Sequence, residues 1–551
     1  MFWRESRRKS VVGLRSRQRI SPGGSILESL EDRKLLSGMA QALELHQPAA
    51  EVHTLAQAHK TVHKPVVHAP AHKAAHKPSH KTGSMAGMPG MAMPNAAPSA
   101  PALVNGVVPG TGGTYVSGLP LTQPQDLYSK NGVLNVTLTV SQQVVNVSGK
   151  NVYAIVYNGS FVGPTLHLSP GDTLKLNLVN KSDQPTNIHF HGLHVSPSGN
   201  SDNIFLSTPV AGSTQYVVNI PKTEPLGVNW YHSHQMGYSE SQVFGGLSGM
   251  IVIDGLKKKM PTEYSGIKEV TIGLKDLQVD ATGAIVQTNI DSNAPTQRTV
   301  NGLVNPVLTI APGETQLWHV ANIGADIYYD LSVGGQSFTV VAEDGQQVWK
   351  PYSVTHLVML PGKRFDILVK GSASGTVTQV NTLPFSNGPA GDQYPLAPLL
   401  QLVSTGAAVK TLTPLTTGLC ANSDLTNAKV AAKRTFVFSQ DNVTDLFYID
   451  GQLYNSAVTN VLPKLGTVEE WTLSNIATEL HPFHLHTNKF QVMSINGVPY
   501  KANGWQDAVD IPAGGNVVVR TKFADYIGKS VFHCHILHHE EQGMMRNVQV
   551  V

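Results

Sequence analysis

The same phrase of extended chain, turn and extended chain occurs three times along this sequence. Asn158-Gly159-Ser160 leads to Pro170-Gly171-Asp172-Thr173, Asn301-Gly302-Leu303 to Pro312-Gly313-Glu314-Thr315, and Asp450-Gly451-Gln452 to Leu465-Gly466-Thr467-Val468. A period of about 145 residues points to three copies of one domain. Within the copies, stretches such as Val133-Leu134-Asn135-Val136-Thr137-Leu138-Thr139-Val140 and Thr173-Leu174-Lys175-Leu176-Asn177-Leu178 alternate apolar and polar side chains, the period of a half-buried strand. Plentiful Gly (50) and Pro (34), with only 14% charged residues, supply the turns that an all-β chain needs. At 551 residues one core does not suffice. The reading is three consecutive β-sandwiches at 103–257, 258–405 and 430–551.

The first hundred residues read differently. Segment 39–102 is rich in Ala, Pro, Lys and His, holds eight of the 23 histidines and is nearly free of aromatic residues, so it reads as a disordered linker. Met85, Met88, Met91 and Met93 fall in one Gly/Pro-rich run. Thioether and imidazole both bind copper, so a copper-collecting arm is one reading. A solvated tether is the plainer one. Segment 1–38 is targeting-like. Ser6-Arg7-Arg8-Lys9-Ser10-Val11-Val12 resembles a twin-arginine start, although Arg15, Arg17 and Arg19 interrupt the apolar stretch. Leu30-Glu31-Asp32-Arg33-Lys34-Leu35-Leu36 resembles a short motif of planctomycete exported proteins. The expectation is export to periplasm, cell surface or medium. No run approaches the roughly 18 apolar residues of a transmembrane helix. A formal charge of +3, much of it in the first 81 residues, leaves no nucleic-acid footprint on the folded part.

Four histidine clusters carry the chemistry: His189-Phe190-His191, His232-Ser233-His234, His481-Pro482-Phe483-His484-Leu485-His486, and His533-Cys534-His535-Ile536-Leu537-His538-His539. Two lie in the first repeat and two in the third. In a strand, His-x-His places both imidazoles on one face, which is how a sheet can offer paired ligands to one metal site. The cysteines number two, Cys420 and Cys534, so at most one disulfide is possible, and Cys534 stands among histidines. A thiolate, two imidazoles and a thioether, here Cys534, His481, His539 and Met544, form the ligand set of a blue-copper electron-transfer site. Zinc would not need the methionine.

On these motifs, residues 103–551 resemble a bacterial three-domain, laccase-like multicopper oxidase, from His189-Phe190-His191-Gly192 to His533-Cys534-His535-x3-His539-x4-Met544. The resemblance implies cupredoxin-like domains and four copper ions. It assigns His481, Cys534 and His539, with axial Met544, to a type 1 copper, and His189 and His484 to a type 2 copper. His191, His232, His234, His486, His533 and His535 would hold a type 3 pair. Cys534 is joined covalently to His533 and His535, which gives electrons a through-bond route, and the split of ligands puts the oxygen-reducing site between the first and third repeats. The middle repeat, with only His319 and His356, reads as a spacer. His167 and His194 are left over, and His538 reads as exposed or supporting, on the opposite strand face or in a turn.

Reducing dioxygen to water takes protons as well as electrons, and Asp202 and Glu540 match the family's proton-supplying carboxylates. Asp202 also has the bland reading of a turn residue in a Gly/Ser/Asn loop. The implied partners are dioxygen and a small reductant, a phenol, an aromatic amine or a metal ion, acting on a monomer. A cuprous oxidase is the alternative, although the third repeat has only Met493, Met544 and Met545. A copper nitrite reductase would have two domains and no full type 3 pair, and a non-enzymatic family member would have lost ligands.

Overall fold

The computed structural model describes residues 101–551 except position 289. The targeting-like segment and nearly all of the His- and Met-containing linker lie outside the described residues. The rest is all-β, built as three pairs of packed sheets and one two-stranded ribbon, Phe385–Ser386 with Gln393–Tyr394.

In the first pair, a four-stranded sheet runs Lys150–Tyr157, Val133–Val147, Thr173–Asn180, Ser213–Asn219. It faces a five-stranded sheet ordered Asp126–Tyr128, Thr165–Leu168, Ser248–Ile253, Gly227–His232, His189–His191. Alternation decides which side chains enter the core: Leu134, Leu138, Leu174, Leu176 and Leu178 are buried and pack in one cluster with Ile251 and Ile253. The second pair has six and five strands and the third six and four. The cores of the second and third pairs join in one apolar cluster, which includes Trp318, Phe365, Trp471 and Phe532.

The repeated phrase acquires a physical meaning here. Asn158, Asn301 and Asp450 all sit in the left-handed region, with φ of 50°, 53° and 52°. Each side chain accepts a backbone N–H from the neighbouring strand: Thr139 at 2.7 Å, Gly273 at 2.7 Å and Val437 at 2.8 Å. Asn and Asp tolerate this conformation because their short polar side chains bond locally. The following turn then opens Thr173–Asn180, Thr315–Asn322 and Thr467–Asn475, and these strands end on asparagines that also repeat. The Asn180, Asn322 and Asn475 amides donate to the carbonyls of Gln184, Ile327 and Glu479 at 2.7, 2.8 and 2.7 Å. That bond tightens the loop delivering the next strand: His189–His191 in the first domain, Tyr329–Val333 in the second, His481–Leu485 in the third. One construction thus carries ligands twice and a tyrosine once.

The third core is centred on Trp471, fully buried against Phe436, Phe532 and Phe523 at ring distances of 5.1, 5.4 and 5.9 Å, with its N–H donated to Glu469 at 2.9 Å. Replacing Trp471 with Ala removes this packing and one of the two hydrogen bonds to the buried Glu469 Oε2, which Arg434 Nε still holds at 2.7 Å. The expected loss is about 3–5 kcal/mol, read as an earlier denaturant midpoint, with Trp471→Phe losing less.

Candidate metal centre

Two antiparallel strand pairs carry the clusters. His189–His191 runs against Gly227–His232 with His189 opposite His232, and His481–Leu485 runs against Gly528–Cys534 with His484 opposite His533 and Phe483 opposite Cys534. All eight outer imidazoles converge in one buried cavity. Their ligand atoms group as His191, His232, His535; as His234, His486, His533; and as His189, His191, His484.

The motifs do not each serve a single group. In three of the four His-x-His motifs the two rings go to different groups, and only His189 and His191 share one. The reason is distance: residues i and i+2 of a strand stand roughly 6.5 Å apart. Ring centroids within the motifs are 4.9–5.9 Å apart, so a motif straddles two neighbouring sites. The strand assignment is only partly right, since His234, His486 and His535 lie just beyond their strands.

Alternation does put Cys534 on the opposite face from His533. There its Sγ lies 3.8 Å from His481 Nδ1 and 3.6 Å from His539 Nδ1, and all three residues are buried. Phe447 stacks on His539 at 3.9 Å. Met544 is buried in the same apolar cluster as Cys534, whereas Met545 packs with Ile204 and Val531 on the other side. His539 follows on a short helix, Leu537–Glu541, and its Nε2 is 3.5 Å from the Glu479 carboxylate. The same helix, and not a strand face or turn, holds His538, which contacts Glu240 at 3.2 Å and Asp445 at 2.9 Å. The other leftover histidines also rest on carboxylates: His167 on Asp254, His194 on Asp525, His319 on Asp366, His356 on Asp330.

Burial, reinforced by neighbouring imidazoles, pushes the pKa of His189, His191, His232 and His486 well below 6.5. Burial puts His484 and His481 at about 3. The rings are therefore neutral, with lone pairs free. Several nitrogens aimed into the cavity have no hydrogen-bond partner, among them Nε2 of His189, His232 and His484. Buried polar atoms without partners are costly, and a metal ion supplies what they lack. Neutral imidazoles in this number, beside a cysteine whose thiol is raised by burial in the absence of an ion, fit copper.

Asp202 and Glu540 both reach this cavity. Asp202 Oδ1 lies 2.9 Å from His189 Nδ1 and also accepts the Phe190 N–H at 2.9 Å, and burial raises its pKa to about 8. Glu540 lies 3.0 Å from His533 Nδ1 and 3.4 Å from His234 Nδ1. Burial opposes its ionisation, but His234 and His533 outweigh that and hold it at about 2.

A third carboxylate, Asp507, escaped the sequence reading. Its Oδ1 is 3.3 Å from His191 Nε2, and its backbone carbonyl accepts from His484 Nδ1 at 2.8 Å. Arg364 of the middle domain bonds it through both terminal nitrogens, at 2.7 and 2.6 Å. The middle domain is thus more than a spacer. It offers no histidine to the cavity, yet it packs on the ligands: a β-carbon on Gly362 would lie 3.0 Å from His191 Cε1 and from His535 Nε2. Trp230, fully buried and stacked 4.1 Å from His232, was also missed. Nothing in spacing or composition marks any of these residues.

Three family models described as Multicopper oxidase match residues 139–258, 229–390 and 424–551. The multicopper oxidase mco of Staphylococcus haemolyticus is 28% identical over 438 residues, which span 76% of this chain and 89% of that protein. A laccase of Bacillus stratosphericus is 25% identical over 467 residues, which span 72% of this chain and 90% of that protein. The solved structure of a multicopper oxidase from Campylobacter jejuni, described as a metallo-oxidase, superposes with a TM-score of 0.70 over 83% of this chain and 99% of that one, at 24% identity.

Gly192, directly after His191, has a φ of +94°, and a β-carbon there would fall 2.2 Å from Arg364 Nη2 and 2.3 Å from Asn229 Oδ1. Gly192→Ala should therefore destabilise the metal-free protein by about 1–3 kcal/mol through overpacking, measured as a lower thermal midpoint than wild type.

Proposed function

The chain belongs to the multicopper oxidase family, and from that membership we propose that phenols, aromatic amines or metal ions deliver single electrons at His481, Cys534 and His539. Dioxygen would be reduced between His189, His191, His232, His234, His484, His486, His533 and His535. The chain is a laccase-like oxidoreductase that uses four copper ions. When bound, the coppers supply one-electron storage and the four-electron reduction of dioxygen to two waters. The observation that carries the residue assignment is the division of the imidazoles into two triads with His189 and His484 beside them. This matches a type 3 pair plus a type 2 ion. We assign the domains to 103–257, 258–405 and 430–551, with Met544 as the axial group of the type 1 site.

The chain's own residues divide the remaining work. Cys534 bonds covalently to His533 and His535, so an electron arriving at its sulfur crosses to the cluster through the backbone. Glu540 borders a cleft of ≈ 240 Å³ with Met236, Tyr454 and Met545. A larger cleft of ≈ 580 Å³ opens beside the loop that carries Asp202, lined by Asn203, Phe205 and Gln235. In this reading Glu540 and Asp202 pass protons from these clefts to the reduced oxygen.

At the edge of His539 a cuprous oxidase would call for soft thioethers. The group 3.5 Å from His539 Nε2 is the Glu479 carboxylate, which suits an organic donor or a hard cation better. No helix among the described residues is long and apolar enough to cross a membrane. Export rests on the amino-terminal reading, and we take the enzyme to act as a monomer.

Copper-loaded protein should be blue and carry four coppers per chain, and Cys534→Ser should remove the colour and the oxidase activity together. A colourless wild type with full copper occupancy would refute the assignment. Glu540→Gln keeps the side-chain volume but removes the acid, so it should hold all four coppers and accept electrons normally, while reoxidation by dioxygen slows by about 100-fold. Stopped-flow return of the blue colour measures this, and a wild-type rate would take Glu540 out of the proton path.

A further inference from the structure

Arg364 is completely buried, begins the strand Arg364–Lys370 of the middle domain, and touches both of the other domains. Its Nη1 and Nη2 grip the two oxygens of Asp507 in the third domain, and Nη2 also donates to Asn229 Oδ1 of the first at 3.3 Å. Nη1 donates back to the carbonyl of Gly362 at 2.9 Å, in the turn that presses on His191 and His535. One planar fork therefore fixes a carboxylate, a turn and an amide at once. A guanidinium can do this, whereas the point charge of a lysine cannot.

The object held in place matters more than the ion pair itself. With Asp507 Oδ1 at His191 Nε2, the other nitrogen of His191 is left facing His535 Nε2 at 3.1 Å, inside the triad with His232. With the Asp507 carbonyl at His484 Nδ1, His484 Nε2 is left unpartnered in the cavity. A histidine presents to a metal the nitrogen that its partner does not occupy. Asp507 thus selects the ligating nitrogen of two imidazoles, His484 in the group with His189 and His191 in both that group and the triad with His232 and His535, and Arg364 orients Asp507.

We propose that Arg364 is the positioning residue of the trinuclear site: through Asp507 it sets which nitrogens of His191 and His484 face the copper ions, so that a domain without ligands governs copper loading. This rests on the ligand reading above. The type 1 site, which the fork does not touch, is unaffected.

The test compares copper-loaded Arg364→Lys and Asp507→Asn with Asp366→Asn. Asp366 is a buried junction residue that accepts the Val228 N–H at 3.1 Å and contacts His319, but no cluster histidine. Copper is titrated into each metal-free protein, followed by the blue colour, the type 2 electron paramagnetic resonance signal and the near-ultraviolet type 3 band. Arg364→Lys and Asp507→Asn should stay blue, while copper affinity at the trinuclear site drops about 10–100-fold and the type 2 and type 3 signals weaken together. Asp366→Asn should keep all signals whatever its loss of stability. Wild-type trinuclear affinity and spectra in Asp507→Asn, or in a folded Arg364→Lys, would overturn the proposal. So would equal depletion in Asp366→Asn, which would make the effect one of junction packing. A wild type that itself lacks the trinuclear signals would overturn the ligand reading, and this failure is visible before any variant is made.

Discussion

An imidazole has two nitrogens, and a metal site that uses one must give the other a partner that fixes tautomer and ring orientation. In this cavity that requirement is met with little choice of residue type. The backbone serves where it lies close: the Ser233 carbonyl holds His232 Nδ1, the Cys534 carbonyl holds His533 Nδ1, and the Asp507 carbonyl holds His484 Nδ1, each at 2.8 Å. Carboxylates serve elsewhere: Asp202 at His189, Asp507 at His191, Glu540 at His234. The surrounding structure follows from these outer partners. A loop must bring Asp202 back beneath its own strand, a helix must start directly after His535 to aim Glu540 inward, and a cation must be buried to tolerate Asp507.

The three repeated domains show how one framework reaches different ends. Each domain uses a left-handed Asn or Asp at the same turn and the same strand-ending asparagine, so the strand after that asparagine is delivered alike in all three. The strand starts with His189 in the first domain and His481 in the third. In the second, Tyr329 occupies that place, buried, with Arg298 5.5 Å from its ring centre. The ligand strands of the two outer domains therefore come from equivalent positions of the fold. Specialisation lies in which side chains those positions carry and in the third domain's extra group of Cys534, His539 and Met544.

Legibility in the sequence follows the same division. The repeat was readable because it is written in residues that tolerate a left-handed backbone, and the ligands were readable because histidine, cysteine and methionine at these spacings have few other uses. The periodicity of a strand fixes the face of a His-x-His motif but not how many ions that face meets, so only the resemblance divided His189 from His191 and His484 from His486. Arg364 and Asp507 were unreadable for another reason. They stand 143 positions apart, and Asp507 stands 316 from His191, so their contacts exist only once three domains have docked. Asp202 could be read only by resemblance, because alone it has the composition of a turn.

Docking and loading are consequently linked energetically. Taking Arg364 and Asp507 out of water costs several kcal/mol per ion in general, and a buried ion pair returns this only with good geometry and further hydrogen bonds. The fork has both, with Asp344 adding a second carboxylate 3.4 Å from Nη1 and Lys489 lying 3.7 Å from Asp507. The unpartnered nitrogens of His189, His232 and His484 gain no such compensation from the protein itself. An ion that binds only the docked arrangement stabilises it by mass action. The junction of the three domains is then the part of the fold whose stability depends most on copper, while the Trp471 core rests on its own apolar packing.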